Sequence, residues 1–351
     1  MIAAPQPKKV VLLGGFGNLG KAVTESLLRE TDVSIKRLGR NRPRADDAES
    51  SRLCSDSIDA GDEPGLTAAF QNARAVIVCT TGADHTRTIL RAALNAHIDM
   101  IDLRYPREIH GELARHSSEI EKAGIRVFSQ AGHLPGLASV FYRYAAARIG
   151  RPESFTVATG IRMSNTASPG AAEEMVRILQ TSEPPGGSKM PRRIDFGAPF
   201  GPVWCFPTAS VELEALAAAP VYVGGMNPFV SFCLAPLALA VGKKASSRTT
   251  RRLGRWFAWG INTFRSPPYG AVMKITMAGQ NGPDRPAVFD LTALHESSYH
   301  LAAASATAFI KPYLSNAFAR PGLHIMGQEV DPAFHLEAMK QSGIVIREAQ
   351  T

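Results

Sequence analysis

The chain has 351 residues, of which 45% are hydrophobic and 20% charged, and its formal net charge is +8. This composition is typical of a folded globular protein, and the length favours two domains. The stretch between Glu214 and Asp284 contains no acidic residue and eight Lys or Arg residues, which equals the whole excess of the chain. The remainder is close to neutral, so the charge does not indicate a nucleic-acid-binding protein.

The four cysteines, Cys54, Cys79, Cys205 and Cys233, are scattered and form no C-x-x-C pair. This usage predicts buried thiols in a reducing compartment, and it argues against a disulfide framework or a zinc site. The N-terminus lacks the apolar core of a signal peptide, and the longest apolar run, Phe229–Val241, is too short to span a bilayer. We therefore expect a cytoplasmic location.

A short apolar run over residues 10–13 leads directly into the pattern G-x-G-x-x-G at Gly15, Gly17 and Gly20, and a helical pattern follows. In such a strand–turn–helix the glycines allow a tight turn, close approach of the backbone to a pyrophosphate, and close helix–strand packing. The amides at the helix N-terminus can then bind the phosphates. The segment predicts a dinucleotide-binding site.

Strand and helix patterns alternate over the first 150 residues. We predict further strands over 33–38, 56–60, 75–80, 98–103 and 125–129, and helices near 62–72, 84–96 and 107–123. Alternation of this kind predicts a Rossmann-type, doubly wound parallel sheet that binds its ligand at the carboxyl ends of the strands.

The residues at the end of the second predicted strand indicate whether the cofactor is NAD or NADP. NAD-binding domains place an acidic residue there to bond the ribose hydroxyls, but this chain has Gly39-Arg40-Asn41-Arg42 and no acid before Asp46. Guanidinium groups suit a 2′-phosphate, so we predict NADP, with Arg40 as the main contact. The alternative is a solvated basic loop. The full set of predicted cofactor-binding residues is Gly15, Phe16, Gly17, Asn18, Leu19, Gly20, Arg40, Asn41, Arg42, Asp59, Thr80, Thr81, Gly82 and Asp102.

Three segments resemble the saccharopine dehydrogenase-like NADP-dependent reductases: His97 to Leu103, Gln130 to Leu137, and Arg320 to His324 followed by Asp331-Pro332. The resemblance implies hydride transfer between NADPH and a C=N, C=O or activated C=C bond. Leu134 stands where the family has an aspartate before Pro-Gly, and Gly82-Ala83 stands where it has Gly-Pro. Lysine metabolism is therefore not implied.

The catalytic candidates are His133, Tyr105 and Tyr299. His133 follows the sixth predicted strand and has an ordinary pKa suited to acid–base chemistry, although it could equally bond backbone in a turn. Asp102 could orient a partner or cap the following segment. Arg104 could bind a substrate carboxylate or phosphate, or form a surface ion pair. His295, Glu296 and His300 lack metal-ligand spacing, so we expect no metal site.

After Gly150 the alternation stops, and strands over 155–163, 270–278 and 287–293 with helices over 171–181 and 297–310 predict an α+β domain with a mixed sheet. Residues 183–202 read as a long loop. We predict an NADP-binding domain over 1–150, onto which 331–351 packs back, and a substrate and dimerisation domain over 151–330.

Residues 248–264 form a basic amphipathic helix with Leu253, Trp256, Phe257, Gly260, Ile261 and Phe264 on one face. This helix could pack internally, form a dimer, roof a pocket for a lipid-like substrate, or, together with 229–241, contact a membrane peripherally.

The sequence thus predicts an NADPH-dependent oxidoreductase that reduces an imine or a carbonyl of a small metabolite and forms a homodimer. The alternatives are a reductase of an apolar enoyl or lipid-like substrate, and a non-catalytic cofactor-binding protein at a membrane surface.

Overall fold

The computed structural model describes residues 9–40, 50–164, 166–181, 190–214, 216, 217, 219–281 and 285–351. The chain forms two compact units. The first contains Met1–Leu137 and Ala302–Val330, and the second contains Ala138–Leu301 and Asp331–Thr351.

The first part of the chain alternates strands and helices. The strands are β1 (Lys9–Leu13), β2 (Ser34–Gly39), β3 (Leu53–Ser57), β4 (Ala75–Val78), β5 (Asp99–Asp102) and β6 (Arg126–Ser129), and the helices are α1 (Asn18–Glu30), α2 (Glu63–Phe70), α3 (Thr86–Ala96), α4 (Arg107–Arg115) and α5 (Ser117–Ala123).

The middle of the chain is richer in antiparallel strands. Its elements are α6 (Leu137–Ala146), β7 (Arg151–Arg162), α7 (Pro169–Thr181), β8 (Arg192–Asp195), β9 (Pro202–Thr208), α8 (Val211–Glu214), β10 (Val221–Gly224), a π-helical turn (Val230–Leu234), α9 (Ala235–Val241), a 3₁₀ turn (Gly242–Lys244), α10 (Ser247–Thr263), β11 (Gly270–Gln280) and β12 (Pro286–His295). The chain then continues through α11 (Ser298–Leu314), β13 (Gly322–Ile325), α12 (Met326–Glu329), α13 (Pro332–Gln341) and β14 (Val345–Gln350).

The first unit contains a seven-stranded parallel sheet in the order β13-β6-β5-β4-β1-β2-β3. The central strand β4 is buried along its whole length, as expected for a parallel sheet covered on both faces. The predicted Rossmann-type, doubly wound sheet is confirmed. Its parallel strands bring the carboxyl ends of β1, β2, β4, β5 and β6 to one edge.

The buried carboxylate of Asp99 links helix α11 to this sheet. The Asp99 carboxylate accepts hydrogen bonds from Arg126 Nε at 2.9 Å and from the Tyr313 hydroxyl at 2.7 Å. Burial and the neighbouring Asp99 raise the pKa of Tyr313, so its hydroxyl stays protonated and donates. Arg74 donates to the Tyr313 carbonyl at 2.8 Å and lies over the Tyr313 ring. These bonds hold the C-terminal half of α11 beside the sheet.

The second unit contains a mixed seven-stranded sheet in the order β14-β12-β11-β7-β10-β9-β8. β7 and β10 pair in parallel, and the other pairs are antiparallel. Helices α7, α9 and α10 pack together over an apolar cluster that includes Val176, Leu234 and Phe257. The predicted α+β architecture with a mixed sheet is confirmed.

Several local expectations differ from the structure. Residues 322–325 extend the first sheet beside β6, and β14 pairs with β12 in the second sheet. The two compact units therefore divide the chain at residues other than the predicted domain boundaries. The third strand is Leu53–Ser57 instead of 56–60, because it aligns with β2 from Ile35 onward. The predicted loop over 183–202 contains β8, which pairs with β9.

The cysteines are not all buried. All four are free thiols, as expected, but Cys54 and Cys233 are exposed and only Cys205 is fully buried. Within the described ranges, no helix is both long and apolar enough to cross a bilayer.

Candidate functional site

The turn between β1 and α1 contains glycines at which the backbone leaves no room for a Cβ. Gly14 has a φ of +87°, and a Cβ there would lie 2.7 Å from the Cys79 backbone at the end of β4. A Cβ on Gly20 would overlap the Gly14 carbonyl oxygen. The Gly14 and Gly15 amides both donate to the Leu38 carbonyl, at 2.8 and 3.1 Å. The turn is therefore clamped between β2 and β4.

Gly14, not Gly15, carries the positive φ of this turn. The sequence analysis singled out Gly15 because it occupies the first position of G-x-G-x-x-G. The Gly14-Gly15 pair at a strand end is a turn signal that could have identified it.

Gly17 is the N-cap of α1, and it differs from the other glycines of the turn. A Cβ on it would meet only the Gly14 carbonyl oxygen, at an ordinary 3.4 Å, so the protein itself does not require glycine there. No acidic residue occurs in the first turn of α1, and Gly17 supplies no side-chain cap. The first-turn amides of Asn18, Leu19 and Gly20 have no carbonyl within the helix to bond, which suits an anion. These residues therefore fit a dinucleotide pyrophosphate.

The end of β2 presents a basic side chain beside this turn. A Cβ on Gly39 would lie 2.6 Å from the Phe16 ring, so Phe16 packs closely over the strand end. Arg40, the next residue, is exposed, and its carbonyl accepts a hydrogen bond from Ser57 at 3.1 Å. The predicted partners Asn41 and Arg42 lie outside the described residues.

The other predicted cofactor residues line the same sheet edge. Thr80, Thr81 and Gly82 directly follow β4, and Thr81 is exposed. Asp59 follows β3, where its Oδ1 accepts the Gly61 amide at 2.7 Å and so closes a surface turn.

Asp102 and Arg104 form a buried ion pair at the end of β5. Arg104 Nη2 lies 2.6 Å from Asp102 Oδ2, and both side chains are 1% exposed. The Arg104 amide also donates to Asp102 Oδ1 at 2.9 Å, so Asp102 caps the following segment, one of its two predicted roles. Arg104 Nη1 donates to the Gly82 carbonyl at 3.3 Å. Of the two alternatives for Arg104, the surface ion pair does not occur, because the guanidinium is buried between the ends of β4 and β5.

His133 lies in a compact loop after β6. The loop begins at Gln130 with a φ of +57°, the Gly132 amide donates to the Pro135 carbonyl at 3.0 Å, and Ser305 donates to the Gly132 carbonyl at 2.9 Å. Burial lowers the pKa of His133 to about 4. The ring is therefore neutral at pH 7 and cannot act there as an imidazolium acid.

The remaining catalytic candidates are the two tyrosines. Tyr105 is half-buried after β5 in the first unit, and Tyr299 is half-buried near the start of α11 in the second. Among the residues that the structure describes, no group of three His, Cys, Asp or Glu side chains could hold a metal ion.

The second unit contains a cleft of about 380 Å³, including its open mouth. Its apolar wall includes Met163, Met175 and Met226, and its polar groups include Arg162 and Arg265. A few polar groups in an apolar cleft are typical of small-molecule sites.

These features match those of known proteins. Residues 10–128 match the family described as the saccharopine dehydrogenase NADP binding domain. This part of the chain is similar to that family along most of the first sheet. The resemblance predicted from the sequence, NADP as the cofactor and the class of NADP-dependent oxidoreductase are thereby confirmed. None of the curated proteins compared with the chain matches it.

Solved structures share the two-part fold at low sequence identity. Saccharopine dehydrogenase (L-Glu forming) from Saccharomyces cerevisiae is 16% identical, with a TM-score of 0.67 over 98% of this chain and 99% of that one. The diaminopimelate (DAP) dehydrogenase of C. glutamicum in complex with DAP is 14% identical, with a TM-score of 0.53 over 94% and 96%. An engineered D-amino acid dehydrogenase bound to NADP⁺ is 14% identical, with a TM-score of 0.52 over 93% and 95%. These likenesses extend the shared fold through the second unit.

The glycines of the turn make separable predictions. Gly17→Ala should lower NADPH affinity by about tenfold or more, because its methyl group occupies space that the pyrophosphate needs, with a stability change within about 1 kcal/mol. Gly20→Ala should lower the free energy of unfolding by about 2 kcal/mol or more, because its methyl group overlaps backbone. NADPH fluorescence titration and urea unfolding followed by circular dichroism measure the two effects.

Gly111→Ala is the matched control for both glycine variants. Gly111 lies inside α4 with open space around it, so alanine there should be neutral or stabilising. Equal effects of Gly17→Ala and Gly20→Ala on stability, with NADPH affinity unchanged in Gly17→Ala, would contradict the assignment.

Burial of His133 also predicts a pH dependence of stability. Its folded pKa of about 4 lies below the usual 6.5, so the unfolded chain binds more protons between these values. The contribution of neutral His133 to the free energy of unfolding is therefore complete above pH 6.5. It falls by about 3 kcal/mol as the pH decreases towards 4. His133→Gln should reduce this loss in urea unfolding at pH 7 and pH 4.5. The control is His97→Gln, an exposed position, which should show the same pH dependence of stability as the wild type. If His133→Gln also shows the wild-type pH dependence, His133 does not titrate as described.

Proposed function

We propose that the chain is an NADPH-dependent reductase of a small metabolite and that the bond reduced is C=N, with C=O as the second choice. The observation that carries the proposal is the glycine-clamped turn with Arg40 at the end of the next strand. The three structurally similar dehydrogenases named above support the choice of an amino-acid-like substrate, since two of them are described with amino acids as substrate or ligand.

In this proposal the first-turn amides of α1 bind the pyrophosphate, and Arg40 binds the 2′-phosphate. Thr80, Thr81 and Gly82 are small enough to let the cofactor pass over the end of β4. The bound cofactor supplies the hydride. The buried Asp102–Arg104 pair keeps the ends of β4 and β5 in place beneath it.

The protonation state of His133 favours C=N over C=O. Hydride addition to the carbon of a protonated imine gives the neutral amine directly, so the step needs no proton donor. Hydride addition to a carbonyl gives an alkoxide, which needs a general acid. His133 has a pKa of about 4, so at pH 7 it is a neutral imidazole and does not supply the imidazolium proton of a general acid. Tyr105 and Tyr299 remain the candidates for any proton transfer.

We propose that the cleft of the second unit binds the substrate carboxylate. Arg162 Nη1 donates to the Pro267 carbonyl at 3.2 Å, and Arg265 Nη1 donates to the Ser164 carbonyl at 2.8 Å. Each guanidinium has further N–H groups that can donate hydrogen bonds to a carboxylate. The methionine wall would contact the apolar part of the same substrate.

The experiment is a panel of oxo acid and amine pairs, carbonyl compounds alone and enoyl thioesters, with NADPH deuterated at the transferable position. We expect turnover that requires both the oxo acid and the amine, with deuterium on the carbon that bears the new C–N bond. Arg162→Gln should raise the KM for the oxo acid about tenfold, while Arg151→Gln, an exposed change on the same strand, should not. Deuterium transfer only to enoyl thioesters, or to no substrate, would contradict the proposal.

A further inference from the structure

The segment from the π-helical turn through α9 exposes a wholly apolar stripe. Its inward residues, including Val230, Leu234 and Ala238, are buried in the second unit. Its outward residues recur at helical spacing and all face solvent: Phe232, Cys233, Pro236, Leu237 and Ala240. Phe232 is 59% exposed and Leu237 is 45% exposed. An apolar stripe without a polar side chain is unusual on a protein surface and indicates an interaction site.

Helix α10 adds exposed aromatic residues beside this stripe. Leu253, Phe257 and Ile261 are buried, whereas Trp256 and Trp259 are 61% and 54% exposed. Trp256 and Phe264 therefore do not lie on the buried side with the residues that the helical pattern grouped them with. The Trp259 ring lies 5.6 Å from that of Phe229, which immediately precedes the π-helical turn, so the two exposed segments meet.

The exposed charged residues of α10 are all basic. Arg248, Arg251, Arg252 and Arg255 are exposed on α10, on the same outward side as the two tryptophans. The sequence from 215 to 283 contains no acidic residue. Across the α7–α10 contact, Glu173 lies against Gly254, and its carboxylate bonds to Arg177 at 2.9 Å.

We propose that this face, formed by the π-helical turn, α9 and α10, docks the protein on an anionic lipid bilayer. Exposed arginines can bind lipid phosphates, and tryptophan is favoured at the headgroup level with apolar side chains beneath it. A second copy of the chain is a poorer occupant, because a two-fold contact would place the exposed arginines of this face against their own copies. The proposal does not depend on the identity of the substrate, so it can fail while the proposed function holds.

The chain carries its own probe for this contact. Trp204, Trp256 and Trp259 are the three tryptophans of the sequence, and all are at least 41% exposed. We expect a blue shift of tryptophan emission and co-sedimentation with vesicles of equal parts phosphatidylcholine and phosphatidylserine at low salt. Pure phosphatidylcholine vesicles should bind weakly, and high salt should release the protein.

Two pairs of substitutions separate the contributions. Arg252→Gln with Arg255→Gln should lower the partition coefficient about tenfold to thirtyfold. Trp256→Ser with Trp259→Ser should abolish the blue shift and most of the binding. The matched controls are Arg115→Gln with Arg320→Gln, and Phe334→Ser, which change side chains that are equally exposed elsewhere. They should bind as the wild type does.

The proposal is overturned if the wild-type protein does not bind the anionic vesicles. It is also overturned if the controls lose binding as much as the α10 variants do. Sedimentation equilibrium distinguishes the other occupant: a wild-type dimer that Trp256→Ser with Trp259→Ser converts to a monomer, without vesicle binding, would assign the face to a second copy.

Discussion

The close approach of the β1–α1 turn to the ends of the neighbouring strands is the constraint on which the rest of the first unit depends. Gly14 lies against the Cys79–Thr80 backbone, and Gly20 lies against Gly14. Without side chains at these positions, α1 can start directly above the sheet edge. Its first-turn amides then point to the place where the ends of β2, β4 and β5 bring their own groups. Cofactor binding is therefore a consequence of packing that the fold already requires.

Two buried ion pairs stiffen opposite sides of the same sheet. Asp102 and Arg104 hold the carboxyl ends of β4 and β5, while Asp99 and Arg126, with Tyr313, hold the amino ends of β5 and β6. Removing one partner of such a pair leaves a buried charge, at a cost of about 3–5 kcal/mol. The first pair keeps the site edge in one conformation, and the second attaches α11 to the unit. The polar residues of the core thus fix both ends of the strands that form the site edge.

Local patterns were predictable, and long-range ones were not. The glycine turn, the parallel strands and the NADP preference follow from residues adjacent in sequence, and the family match confirms the cofactor. The return of 322–325 to the first sheet could not be predicted, because it depends on pairing with β6, which lies far earlier in the chain. The neutrality of His133 depends on burial, which its turn-like sequence does not reveal. The helical period of α10 identified its buried side, but the exposed position of Trp256 depends on where α7 and α9 pack.

We propose that the glycine turn and Arg40 form a site for NADP and not for NAD. The most direct measurement is the ratio of the dissociation constants for NADH and NADPH, in the wild type and in Arg40→Ala. We expect the wild type to bind NADPH at least about tenfold more tightly, and Arg40→Ala to weaken NADPH binding while leaving NADH binding unchanged. Equal affinity for the two cofactors in the wild type, with no effect of Arg40→Ala on either, would contradict the claim.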